Sequence, residues 1–521
     1  MAVEGTAVTG GEHPQGQHNG VMDKGLKKGA ISYVSNIVIG VASTAPAYSL
    51  AATLGFIVAL GGIGTHAPAV LIVSFIPILL VAVAYKYLNR ADPDAGTTFA
   101  WTTRAFGPAT GWLNGWAIFL ADILVMASLS DIAAIYSLKL FGISETKALV
   151  LIIAVVWILL MTWICWRGIE LSAAIQRALL TLEVIMLAIF SIVALAKVYG
   201  GSAPHGSIKP TLDWFNPFAV SFGSLLPAVL LGIFIYWGWD SGVAVNEESE
   251  DPANGPGKAA VVSTLLLVVI YLLVSTGAQA FHGVAFLSNE ANQEDVLNAL
   301  GKPVFGGGAI GWILTKLLIV CVLTSASAST QTTILPTART TLSMAHWKAV
   351  HRLLGRVHKT YLTPDVSTIG MGLISIAITV PLLLVSESVL SDSITALGFP
   401  VCFYYGFTGI ACAWYYRREL FKSARNFFLV GLAPLAGGVM LFGVLIKAAI
   451  YYGHRANVAS APLAGITLPL WFGIGGMIVG AILMFVSRPY FKEFFARGTE
   501  AAPVGMLEVP APEVIPAPVD F

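Results

Sequence analysis

Charge is the first thing this sequence lacks. Only 11% of its 521 residues are Asp, Glu, Lys or Arg, under half of the about 25% usual in soluble domains. That shortage excludes a soluble cytoplasmic enzyme, a secreted domain and a disordered scaffold together. Neither sign is in surplus: 29 Lys and Arg face 28 Asp and Glu, so no global field draws nucleic acid. Cysteine is scarce. Cys165, Cys321, Cys402 and Cys412 sit singly inside apolar runs, which leaves neither a disulfide framework nor a CxxC site. The nine histidines form no ligand cluster, and no P-loop, HExxH or GxSxG is present. Gly306 to Gly311 matches GxGxxG, but no strand precedes it and it opens an apolar helix, so the match is fortuitous. No cofactor and no metal is expected.

What the sequence has is apolar length. Hydrophobic residues make up 56% of the chain and the mean hydropathy is +0.79. Roughly 20 apolar residues cross one bilayer core. Twelve such runs follow one another: 31–59, 67–87, 112–138, 148–166, 173–196, 223–245, 259–281, 309–333, 366–386, 394–416, 428–452 and 467–486. The expectation is an all-α polytopic membrane protein. The flanks differ in kind. Residues 1–30 are polar and Gly-rich with no apolar core ahead of a cleavage site, and residues 498–521 are rich in Pro, Ala, Val and Glu. Both are expected to be disordered tails around a membrane domain at 31–495.

Twelve spans put both termini on one side. Counted loop by loop, that side holds roughly three Lys or Arg for every one opposite, the asymmetry of a cytoplasmic face. The expected setting is therefore the plasma membrane, with both termini cytoplasmic. Arg339, Lys348, Arg352, Arg356 and Lys359 after span 8 contribute most, and topology alone accounts for them.

Two runs do not read as ordinary helices. The first carries Gly40, Ser43, Thr44 and Pro46 at its middle. Proline removes a backbone bond and clashes with the preceding turn, while Ser and Thr offer the freed groups other partners. The sixth run has Trp237, Gly238, Trp239, Asp240 and Ser241 near its centre. Gly238 lies 198 residues after Gly40, and each run opens a group of five spans. Interrupted spans at matching positions of two halves point to an inverted-repeat transporter with a midplane site. Small residues for helix packing are the plainer alternative, but packing does not explain a carboxylate inside one break.

Ionisable groups at mid-bilayer are costly and mark function by default. Glu183 falls about ten residues, roughly 15 Å, into span 5, half of the ~30 Å core. Asp122 is similarly deep in span 3, and Asp240 adjoins the break of span 6. Asp131 and Lys316 read as interfacial. Burial disfavours the charged form of a carboxyl, so a Glu that takes up and releases a proton as its exposure changes is the physical core of proton coupling. The alternative for all three is a hydrogen-bonded carboxyl that ties helices together.

Three stretches resemble the amino acid–polyamine–organocation superfamily, in particular its bacterial amino acid permeases. They are IFIYWGWDSGVAVNEESEDPANGPGKA in and after span 6, LPTARTTLSMAHWKAVHRLLGRVHKTYLTP after span 8, and DAGTTFAWTTRAFGPATGWLNGW before span 3. The resemblance covers about residues 31–495. It implies a LeuT-type fold of two inverted five-helix repeats, about 31–196 and 223–416, plus two further helices at about 428–486. It also implies substrate held between broken helices 1 and 6. Gly40, Ala42, Ser43 and Thr44 would offer backbone amides to a substrate carboxylate. Trp237 with its neighbours Tyr236 and Gly238 would offer carbonyls to an ammonium, and Phe234 matches the gating aromatic. Ser325, Ser327, Ser329 and Thr330 match a region that binds sodium in some relatives. Glu183 stands where proton-coupled members often place a Lys. Two departures stand out: span 1 lacks the usual G-x-G core, and His346-Trp347-Lys348 replaces R-D-G.

The reading that results is a secondary active transporter importing an amino acid or related amine, with a proton as the expected coupling ion and sodium as the alternative. Glu183 and Asp122 are the candidate coupling groups. A polyamine or other organic-cation carrier is the rival within the class, with Asp240 or Asp122 pairing the ammonium. A substrate-sensing receptor and a channel are rivals outside it.

Overall fold

The computed structural model describes residues 23–385, 389–458, 460–503 and 506–507. Among them are twelve helices long and apolar enough to cross a membrane and no β-strand, only isolated bridges. Spans 1 to 6 are Tyr33–Ala59, Gly64–Ala91, Pro108–Phe141, Lys147–Arg167, Ile169–Tyr199 and Phe222–Ala244. Spans 7 to 12 are Gly255–Leu287, Ala309–His346, Asp365–Leu384, Leu390–Tyr415, Ala424–Gly453 and Leu468–Ser487. The fold is of the LeuT type, with spans 1 and 6 both interrupted.

The spans differ in how deeply they sit in the bundle. Span 1 is buried over 89% of its apolar window and span 10 over 83%, whereas span 12 is buried over 17% and presents Ile482, Phe485 and Val486 outward. Gly40 shows the closeness this allows: a Cβ there would lie 2.9 Å from the Ser263 hydroxyl and 3.0 Å from the Trp239 carbonyl. Two shorter helices cover the ends. Thr98–Phe106 lies between spans 2 and 3, and Val296–Phe305 between spans 7 and 8. The chain just before the second runs against span 1, where a Cβ on Gly55 would meet Gln293 backbone at 2.4 Å.

Span 1 is two helices, Tyr33–Ser43 and Pro46–Ala59. Only Thr44 and Ala45 leave the helix, Ala45 with a left-handed φ of 46°. Pro46 has no N–H to continue the ladder, and local side chains take up the released carbonyls. The Thr44 hydroxyl donates to Val41 O at 2.7 Å and the Ser49 hydroxyl to Thr44 O at 2.6 Å. Span 6 is helical over Phe222–Tyr236, irregular through Trp237–Asp240, and helical again for Ser241–Ala244. The turn requires Gly238, whose φ of 116° is one that L side chains rarely adopt.

The expected tails are described only in part. Residues 1–22 and 508–521 lie outside the described residues. Within residues 23–30, Leu26 is buried and Lys24 is wholly enclosed, while Asp23, Gly25, Lys28 and Gly29 are exposed. At the other end Ala502 N–H donates to Tyr415 O at 3.0 Å, and Met506 and Leu507 pack on the core. A polar, Gly-rich stretch reads as solvent-loving from its composition, but buried carboxylates hold this one.

Candidate functional site

The two breaks meet. Ser43 and Ser241, 198 residues apart like Gly40 and Gly238, share a hydrogen bond of 2.8 Å between their hydroxyls. A Cβ on Gly238 would stand 2.8 Å from Ser43 O, so only glycine lets the chains approach this closely. The Ser329 hydroxyl of span 8 donates to Ser43 O at 2.8 Å. Tyr271 of span 7, which the sequence reading passed over, spans both breaks: its hydroxyl lies 2.7 Å from Ile235 O and 3.2 Å from the Thr44 hydroxyl. A lone Tyr in an uninterrupted apolar run carries no signal of such a position.

At the first break the amides are paired within the protein. Gly40, Ala42 and Ser43 remain within the helix Tyr33–Ser43. Thr44 N–H donates to Val41 O and Ala45 N–H to Ala42 O, at 3.2 and 3.1 Å. Beyond the break, Ala47 N–H donates to the Glu183 carboxylate at 2.7 Å and Tyr48 N–H to the Ser325 hydroxyl at 3.3 Å. Gly40, Ala42, Ser43 and Thr44 therefore hold out no free amides to a carboxylate. Two residues of irregular chain leave few groups unpaired, Pro46 has no N–H, and a carboxylate of the protein itself sits where an anion would be drawn.

That carboxylate is Glu183. Besides Ala47 N–H it accepts the Ser325 hydroxyl at 2.6 Å, and it is buried. It thus clamps the second half of span 1 to span 8, and no basic side chain hydrogen-bonds it among the described residues. Ser325 and Ser329 of the proposed sodium region both reach span 1, one through Glu183 and the other through Ser43 O. Thr330 does not: its hydroxyl turns back to Ala326 O of its own helix at 3.0 Å.

Asp240 lies buried beside the second break among tyrosines. The Tyr405 hydroxyl donates to it at 2.8 Å and the Tyr404 hydroxyl at 3.2 Å, while Trp237 Nε1 donates to the Tyr404 oxygen at 2.5 Å. Tyr85 stands 3.5 Å off and stacks edge-on to Trp239. The sequence reading missed this phenolic ring, because its members lie on spans 2 and 10. Phe234 meets Tyr48 of span 1 edge-on at 6.3 Å, and Tyr236 turns to Tyr271 at 5.0 Å. Asp122 does not join Glu183. It accepts the Thr337 hydroxyl of span 8, closer to the basic end of the bundle.

Toward that end the breaks are closed by an ionic cluster that the sequence did not disclose. Lys24 is paired with Asp94, at 3.0 Å, and with Glu247. Asp94 also accepts Gly96 N–H, the Ser343 hydroxyl and Trp347 Nε1. Asp94 is held down at about 2, by Lys24 and these donors acting against burial, whereas burial pushes Glu247 up to about 7. Arg339, read from the sequence as a loop charge, lies inside span 8. Its Nε and Nη2 grip both oxygens of Glu248 at 2.5 and 2.8 Å. Ile31 N–H donates to Glu248 O and Glu250 N–H to Ile31 O. Lys316, at the opposite end, donates to Leu140 O at 2.8 Å and caps span 3, as an interfacial lysine would.

No group of His, Cys, Asp and Glu suited to a metal occurs among the described residues. The family model described as amino acid permease matches residues 30–460. The branched-chain amino acid permease BcaP of Bacillus subtilis is 24% identical over 327 residues, 58% of this chain and 65% of the relative. The arginine/ornithine antiporter of Latilactobacillus sakei is 23% identical over 428 residues, 78% and 86% of the two chains. The mouse Asc-type amino acid transporter 1 is 23% identical over 272 residues, covering 50% and 48%. The match to BcaP thus spans less than two thirds of that relative's length.

Proposed function

This chain belongs to the amino acid permease family, and on that footing we propose that it is a secondary active transporter. Its cargo is an amino acid, moved across the plasma membrane by alternating access with a proton as the coupling ion. The observation that carries the reading is the contact of two broken spans at Ser43 and Ser241, a junction whose separation opens a path to one face. Coupling rests on Glu183, which ties span 1 to span 8 through Ala47 and Ser325. Protonated, the carboxyl loses the charge that holds it on the amide of Ala47, and the clamp weakens. Charge-assisted hydrogen bonds are roughly twice as strong as neutral ones. Placement of both termini in the cytoplasm rests on the excess of basic residues along one face.

The names of the relatives differ in cargo, branched-chain amino acids in one and arginine with ornithine in another, so they do not choose among side chains. A second reading has its own observation. Asp240 is a buried carboxyl to which the phenols of Tyr404 and Tyr405 donate, and the amides of the first break are taken, which favours a cargo bearing an ammonium and no carboxylate. Uptake of labelled amino acids into proteoliposomes, with and without a pH gradient and with putrescine as competitor, separates the two. Amino acid uptake that rises with the gradient supports the first. Putrescine competing better than every amino acid replaces it with the second.

A further inference from the structure

A crevice of 690 Å³ lies between spans 3, 8 and 12 at the basic end of the bundle, away from the paired breaks. That volume is within the ~300–1,000 Å³ of small-molecule sites. Its walls are almost wholly apolar. Trp112 and Trp116 stack with ring centroids 6.1 Å apart and planes within 8°. Their indole N–H groups are spent on Ala349 O and Gly476 O, which leaves ring faces to the crevice. Val486 of span 12 lines the opposite wall, and span 12 is the helix that faces outward most. The crevice is therefore continuous with the surface that meets lipid.

Two further features point to the kind of molecule that fills it. Thr340 lines the crevice and is buried; its hydroxyl is closed off from solvent and has no hydrogen-bond partner among the described residues. A buried unpaired hydroxyl is costly, and a turn of the side chain toward the crevice would bring it to an acceptor on the occupant. Arg352, Arg488 and Lys492 directly follow the lining residues His351, Ser487 and Phe491 in the chain and are exposed. None of the three forms an ion pair among the described residues, although neighbouring Lys348 and Arg356 are paired with Glu493 and Asp365. Basic pockets between membrane helices on such a face suit acidic lipid headgroups.

We propose that this crevice is a binding site for an anionic phospholipid of the surrounding bilayer. One acyl chain lies against Trp112 and Trp116, an ester carbonyl accepts the Thr340 hydroxyl, and the phosphate faces Arg352, Arg488 and Lys492. The deep wall includes Thr337, the residue that holds Asp122. The lipid thereby braces the contact of span 8 with span 3.

The test uses the full chain in phosphatidylcholine nanodiscs doped with phosphatidylglycerol brominated on its acyl chains, read as quenching of tryptophan fluorescence. Brominated phosphatidylcholine is the comparison. Half-quenching by phosphatidylglycerol is expected at a lower mole fraction, by about five-fold for each cation engaged. The variant Arg352→Gln/Arg488→Gln/Lys492→Gln alters only exposed side chains and is expected to erase that preference. Thr340→Val is expected to weaken quenching by both lipids several-fold. Equal half-quenching by the two lipids in the wild type, or a preference that survives the triple substitution, overturns the proposal. Quenching that appears only after removal of residues 508–521 overturns it in favour of that segment as the occupant.

Discussion

Replacing Lys24 with Met should unfasten the basic face of this protein. The substitution keeps the length of the stem and removes the cation that pairs with both Asp94 and Glu247. Breaking a buried pair by deleting one partner costs about 3–5 kcal/mol, roughly a hundred- to several-thousand-fold in an equilibrium. The lower end is expected. Glu247, already pushed up to about 7 by burial, relieves the strain by taking a proton, and Asp94 keeps its bonds to Gly96, Ser343 and Trp347. The closed face carries its own reporters, because Ile31 N–H donates to Glu248 O at 3.0 Å and Glu250 N–H to Ile31 O at 2.9 Å. Hydrogen exchange of these two amides in nanodiscs should accelerate by about a hundred-fold in Lys24→Met. Lys28→Met, which removes an exposed lysine paired with Asp23, should leave them unchanged. Unaltered exchange at Ile31 and Glu250 in the Lys24 variant would refute the argument.

The same face should respond to pH. Glu247 at about 7 in the closed arrangement stands above the 4.5 or so of a solvated Glu, so the closed face binds the proton more tightly. Closure should strengthen as pH falls from about 7 toward 4.5, seen as slower exchange at Ile31 after correction for the intrinsic rate. Glu183→Gln should abolish uptake driven by a pH gradient while counterflow persists, and pH-driven uptake at the wild-type rate would remove Glu183 from the coupling step. Replacing sodium with choline at constant pH should leave uptake nearly intact; a steep sodium dependence would make Ser325 and Ser329 ligands instead. Gly238→Ala should lower thermal stability by about 1–3 kcal/mol from the strained φ alone, and more from the 2.8 Å approach to Ser43 O, with uptake lost; wild-type uptake in this variant would show the breaks to be looser than described.

Much of the architecture was open to reading from the chain alone. A segment that crosses a bilayer must be apolar along its whole length, and that property adds up residue by residue, so twelve runs gave twelve spans. The interruptions were equally local. Pro46 cannot donate to the ladder wherever it lies, and the W-G-W-D of span 6 contains the one residue that tolerates a φ of 116°. Glu183 announced itself by depth, since no carboxyl stands unpartnered in the middle of an apolar helix without reason.

What the tertiary structure decided was pairing. Whether Gly40 to Thr44 hold free amides depended on how tightly the break turns, and the hydroxyls of Thr44 and Ser49 let it turn within two residues. Lys24 looked like a tail charge because its partner Glu247 is 223 residues away. Arg339 looked like a loop charge because Glu248 lies across the bundle. The phenols around Asp240 come from spans 2 and 10, and Tyr271 touches both breaks only because span 7 packs between them. Hydropathy, proline and glycine act through the chain next to them and are written in its order. A hydrogen bond or an ion pair acts through distance in space, which the order of residues does not contain.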